Sequence, residues 1–183
     1  MNYKYILFYF FISSHILLSQ EQALVKTSSE KVNSRIEIGS SYSYSGLNGL
    51  LGVSIKIKKN EIGVGVRTSI TQFSRYSSSN FVGMYLEYNR MLFTEKKLNS
   101  LINIHYGNLF RKFNSPVNNE KAWFQVHELY AGYGLSYKIQ KFYIVNTINY
   151  GGYIERQKSF YKNETTTFFH VGPMIKLSIK YEL

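Results

Sequence analysis

Cysteine is absent from this 183-residue sequence, which removes disulfide stapling, thiolate metal centres, cysteine nucleophiles and a lipid-modified N-terminal cysteine together. Stability must then come from burial and backbone pairing. Proline is nearly absent as well, with Pro116 and Pro173 alone. Beyond residue 19 no apolar run approaches the roughly 20 residues that a membrane-crossing helix requires, so any span in the remaining chain has to be made of strands. No RNP, zinc-finger or helix-turn-helix pattern occurs, and nucleic acid is not an expected partner.

What is present begins with residues 1–19. Lys4 precedes the apolar run Ile6 to Ile12, Ser13-Ser14-His15 interrupts it, and Ile16-Leu17-Leu18 leads to the small residue Ser19. A positive start, a short apolar segment and a small residue near its end predict a secretory signal peptide cleaved after Ser19 or slightly beyond. The formal net charge of +11 favours anionic lipid or another acidic partner once export has set nucleic acid aside.

Residues 20–33 are polar and aperiodic and are expected to form a flexible lead-in. From Ser34 the texture changes to alternation at period two, rich in Tyr, Ile, Val and Thr, which is the pattern of strands with one apolar face. Ile36, Ile38 and Tyr42 oppose Arg35, Glu37, Gly39 and Ser41, and a tight connection at Gly46 to Gly49 then leads to Val53, Ile55 and Ile57. Six further segments follow. The seventh, Phe142 to Glu155, is the least regular, because Val145 and Asn146 blur its phase. The eighth is the cleanest: Phe169, Val171, Pro173, Ile175, Leu177, Ile179, Tyr181 and Leu183 share a face.

The segments approach the 9 to 11 residues of a membrane-crossing strand, and the face opposite the apolar one is mostly Gly, Ser, Asn and Tyr with isolated charges. A soluble sandwich would expose a more densely charged face. Short charged turns follow the second, fourth and sixth segments, whereas longer connections, at 72–80, 109–122 and 156–165, follow the third, fifth and seventh. Short periplasmic turns and longer external loops are the habit of outer-membrane barrels. The expected fold is therefore all-β, an eight-stranded antiparallel up-and-down transmembrane β-barrel over residues 34–183, with both chain ends on the periplasmic side of a bacterial outer membrane.

This stretch resembles the small outer-membrane barrels of the OmpA/OmpX type, a porin-like barrel family. The terminal run containing Ile179, Tyr181 and Leu183 is similar to the strand signal read by that family's insertion machinery, although the signal normally closes on an aromatic residue and this chain has Leu183. The resemblance implies outer-membrane lipid and the barrel insertion machinery as partners, and a monomer.

Alternation places Glu37, Arg67, Glu87, Glu128 and Lys176 on the inward face. Buried charges require partners, so these five are expected to form an interior network filling a lumen just wide enough for side chains. Arg75, Arg111, Lys112, Arg156 and Lys158, with Lys121 and Lys162, fall in or beside the external loops and could pair with lipid phosphates. Tyr44, Tyr88, Tyr106, Tyr137 and Tyr181 near strand ends suit interfacial girdles. His105, His127 and His170 belong to no HExxH motif, and adjacent His127 and Glu128 point to opposite faces of a strand. No catalytic residue, metal site or cofactor is therefore expected, and the reading is a non-enzymatic protein of envelope structure or surface interaction. An outer-membrane lipid-modifying enzyme and a soluble lipocalin-like carrier are the alternatives.

Overall fold

Period-two alternation commits each segment to a strand, and a strand whose neighbours satisfy its amides on both sides has no edge left for water. The computed structural model describes residues 32–71, 82–93, 97–114, 121–158 and 165–183. In it the chain forms a closed antiparallel barrel in sequential order. Its strands are β1 (Val32–Ser43), β2 (Gly46–Ile57), β3 (Asn60–Thr71), β4 (Val82–Met91), β5 (Leu98–Asn114), β6 (Lys121–Ile139), β7 (Phe142–Lys158) and β8 (Thr165–Glu182). The seam between first and last strands runs from Arg35↔Glu182 to Tyr42↔Ile175.

The expected signal peptide and nearly all of the lead-in lie outside the described residues, as does the 72–80 connection. Several boundaries differ from those read in the sequence. β1 starts at Val32, two residues early. The first hairpin turns at Tyr44-Ser45, closed by the Ser43↔Gly46 pair, and Gly46 to Gly49 belong to β2. Gly46 has φ 99°, a conformation that costs glycine little and puts strain on any other residue. The expected loop at 109–122 is largely strand: β5 continues to Asn114, and β6 resumes at Lys121. Likewise β7 runs to Lys158 and β8 starts at Thr165.

At the end holding Val32 and Glu182, the two-residue turns Lys58-Lys59 and Gln140-Lys141 join β2 to β3 and β6 to β7. Lys58 and Gln140 have φ 55° and 54°, the positive values that tight hairpin loops demand. Strand lengths are unequal. β1 to β4 have 10 to 12 residues, whereas β5 to β8 have 17 to 19, so one wall stands taller at the opposite end.

The sidedness is that of a membrane barrel. Ile148 is 63% exposed, Tyr133 72% and Phe169 67%, while Arg35, Glu37, Glu61 and Lys176 are fully buried. In water that exterior would be an aggregation surface far beyond what soluble monomers tolerate; against hydrocarbon it is the favoured one. β7 keeps a strict phase through the stretch that looks irregular in sequence. Val145 points inward, beside Met91, Leu101 and Tyr143, and Asn146 points out. The lumen is therefore not polar throughout, which is why hydropathy alone misplaces these two residues.

Ile148 lies midway along the outward row of β7. The variant Ile148→Arg is expected to lose about 2–4 kcal/mol of folding stability in lipid vesicles, the cost of an arginine at mid-bilayer depth. Urea titration of vesicle-folded protein reads this directly, and an unchanged midpoint would mean that this face does not meet lipid.

Candidate functional site

The inward residues meet because strand tilt in a closed barrel brings side chains from non-adjacent strands to one level. Nearest the chain ends, Arg35 on β1 pairs with Glu61 on β3, which also takes Lys180 of β8. The Arg35 guanidinium lies 3.7 Å from the centre of the Tyr143 ring, and the Tyr143 hydroxyl donates to Glu182. Further in, Lys176 sits 2.6 Å from Glu37 and also pairs with Glu87. Lys180 reaches Glu87 at 3.0 Å. Tyr85 donates to Glu37 at 3.2 Å.

A third level lies toward the other end. Arg67 of β3 donates to Glu128 of β6 at 2.5 Å and to Ser45 at 3.0 Å, and Ser43 donates to the other Glu128 oxygen at 3.0 Å. Above it Tyr44 stacks on Tyr153 with ring centres 4.1 Å apart, and His170 stacks on Tyr153 at 4.9 Å. Leu109, Phe124 and Val126 are buried around Tyr153.

Four carboxylates, Glu37, Glu61, Glu87 and Glu128, thus face four cations, Arg35, Arg67, Lys176 and Lys180. Small inward residues make the room. A Cβ on Gly65 would strike the Tyr85 ring, and one on Gly107 the Arg67 guanidinium. The five inward charges read from the sequence fall at two levels, with Glu37, Glu87 and Lys176 together and Arg67 with Glu128 apart from them. Arg35, Glu61 and Lys180 join the network without standing out in the sequence. Alternation puts them on the inward face too, but their nearness to turns and chain ends makes them look like solvated charges.

The outer-face residues are more scattered. Arg156 is exposed on β7, its guanidinium carbon 5.9 Å from the Trp123 ring centre, and Lys158 ends the same strand. Arg111 and Lys112 lie in β5 rather than in a loop. Arg75 is outside the described residues. Ile179, Tyr181 and Leu183 point outward at the end of β8. The three described histidines are separate: His105 is buried 3.7 Å from Glu87, His127 accepts or donates one bond with Tyr106 at 2.8 Å on the outer face, and His170 lies in the aromatic stack. No group of three or more metal-ligating side chains occurs among the described residues.

No protein-family model and no curated protein matches the sequence. Among solved structures, the chain is similar to a major outer membrane protein from Thermus thermophilus, at 11% identity and TM-score 0.46 over 83% of this chain and 99% of that one. It is also similar to the N-terminal β-barrel domain of Pseudomonas aeruginosa OprF, at 11% identity and TM-score 0.48 over 85% and 100%. A third is Neisserial surface protein A, at 8% and 0.46 over 85% and 98%. The fold itself is defined by the strand register described above.

Removing one member of the isolated pair is expected to be costly. Glu128→Gln leaves buried Arg67 without a countercharge and should destabilise by about 3–5 kcal/mol. Arg67→Met combined with Glu128→Leu should recover most of that loss. Urea unfolding of the single and double variants tests the coupling; additive effects would mean that the two charges are independently solvated.

Proposed function

We propose that this chain is a non-enzymatic barrel of the bacterial outer membrane whose lumen is closed by its own side chains, and which serves the envelope through its exterior and its external end. The observation that carries the reading is the pairing of four buried carboxylates with four buried cations inside a sheet whose outside is apolar. A soluble carrier of hydrophobic ligands requires the reverse, an apolar cavity within a polar shell. A lipid-modifying enzyme requires a nucleophile or a water-activating base beside the bilayer. His127, the histidine on the outer face, is instead bonded to Tyr106.

Closure of the seam between β1 and β8 leaves no strand of the described residues unpaired at membrane depth, which suits a monomer. Ile179, Tyr181 and Leu183, outward on or just past the strand that closes the barrel, are the ones offered to the insertion machinery. On the taller wall, Arg156 and Lys158 stand beside Trp123 just past the apolar belt, where an aromatic ring and cations together suit the phosphates of a glycolipid leaflet. Envelope attachment there, rather than transport through the lumen, is the role these features support.

Two measurements test this reading. The folded protein should migrate differently in gel electrophoresis before and after boiling, and should give no sustained conductance in planar bilayers. Replacing both Glu87 and Lys176 by alanine should introduce measurable conductance, because it removes the central ion pair of the middle level. A soluble protein without a heat-dependent shift, or steady ion flow through the wild type, would contradict the reading.

A further inference from the structure

Lys58, Lys59, Arg90, Lys97 and Lys141 are all exposed at the chain-end rim, whereas Lys138, exposed too, leans over the inward Tyr143 ring at 5.1 Å. The two described acids at the same level turn inward: Glu61 is engaged by Arg35 and Lys180, and Glu182 lies 3.7 Å from Arg35 and 3.8 Å from Lys138. Among the described residues the outside of this rim carries cations and no exposed acid. It also carries large apolar side chains at the same level, with Phe93 51% and Leu98 53% exposed and Ile139 and Phe142 beside them.

The turns that bear these cations are tied to one another through the backbone. The Met91 amide donates to the Lys59 carbonyl at 2.7 Å, the Lys138 amide to that of Lys97 at 2.8 Å, and the Glu182 amide to that of Lys141 at 2.9 Å. Neighbouring hairpins are therefore stitched into a collar, and the cations stand at a fixed depth around the perimeter. Lys141 lies 5.7 Å from the Tyr181 ring centre, over the edge of the aromatic belt.

We infer that this collar binds the headgroups of anionic phospholipids in the leaflet on the side of the chain ends. The inference rests on the membrane reading above and adds to it a lipid class and a leaflet. A soluble polyanion would be met by a patch on one side or by groups pointing into the mouth. Arg90, on the outward side of β4, and Lys141, over the outward Tyr181 ring, instead stand on the outside among side chains that need hydrocarbon, so the anion they suit is one carried by a lipid. Long lysine stems lie along the apolar wall while their ammonium groups reach the phosphate level. Each lysine or arginine near an anionic surface contributes enough to shift lipid association about fivefold at modest salt, and screening weakens this as the Debye length falls to about 3 Å at 1 M.

The test is lipid selectivity of the full-length barrel reconstituted in phosphatidylcholine vesicles. Spin-labelled phosphatidylglycerol and spin-labelled phosphatidylcholine are compared by the fraction that the protein immobilises. The wild type is expected to prefer phosphatidylglycerol about fivefold and to lose the preference at 1 M salt. The combined variant Lys58→Gln/Lys59→Gln/Arg90→Gln/Lys97→Gln/Lys141→Gln should lose most of it, whereas Lys58→Arg/Lys59→Arg/Lys97→Arg/Lys141→Arg, which keeps the charges, should retain it. If the combined variant does not fold, Lys97→Gln/Lys141→Gln should lower the preference measurably. No preference in the wild type, its undiminished survival in the folded glutamine variants, or its loss in the charge-keeping arginine variant would overturn the collar. The boiling-dependent gel shift is read on every sample. A wild type lacking that shift would remove the membrane reading itself, whereas a shifted wild type without lipid preference removes the collar alone.

Discussion

The pairing of β1 with β8 is the constraint on which everything else depends. Without the register from Arg35↔Glu182 to Tyr42↔Ile175, two rows of amides and carbonyls would face hydrocarbon, each costing several kcal/mol. With it, each residue has one of two environments, and period-two alternation becomes a sorting rule. Closure also sets the tilt that lets β1, β3, β4 and β8 contribute charges to one cluster. The polar lumen and the apolar belt are two consequences of one closed sheet.

Much of this is legible in the sequence, and the limits are physical. The eight strands are visible because lipid on one face and packed side chains on the other impose the same alternation over each span. Where the barrel leaves the hydrocarbon, that pressure lapses. The stretches Arg111 to Asn114 and Lys121 to Trp123 have the polarity of a loop but pair as strands. Val145 blurs β7 in sequence because the lumen holds an apolar cluster with Met91, Leu101 and Tyr143, a tertiary fact that no local pattern carries. Arg35, Glu61 and Lys180 are hidden for the same reason. They look like charges beside turns, and only the register brings them together.

The two ends of the barrel differ in how they handle charge. At the chain-end rim, the described acids Glu61 and Glu182 turn into the lumen with Arg35 and Lys180, and the exposed charges of the described residues on the backbone-tied turns are cations. Toward the other end, β8 from Thr165 to Met174 rises beyond its pairing with β1 and is held by β7. There the Tyr44 to Tyr153 stack sits above the Arg67 and Glu128 pair, so aromatic packing takes over from ion pairing where the wall becomes unequal.

All of this turns on which face of the closed sheet meets lipid, and β8 is the place to measure it. The chain has no cysteine, so single cysteines can be placed from Val171 to Ile179 and spin-labelled one at a time. Collision rates with oxygen, which concentrates in hydrocarbon, and with a water-soluble nickel complex then report each side chain's surroundings. Oxygen accessibility should peak at Val171, Pro173, Ile175, Leu177 and Ile179 and drop at Met174, Lys176 and Ser178. The opposite phase, or high nickel accessibility at the odd positions, would contradict the account.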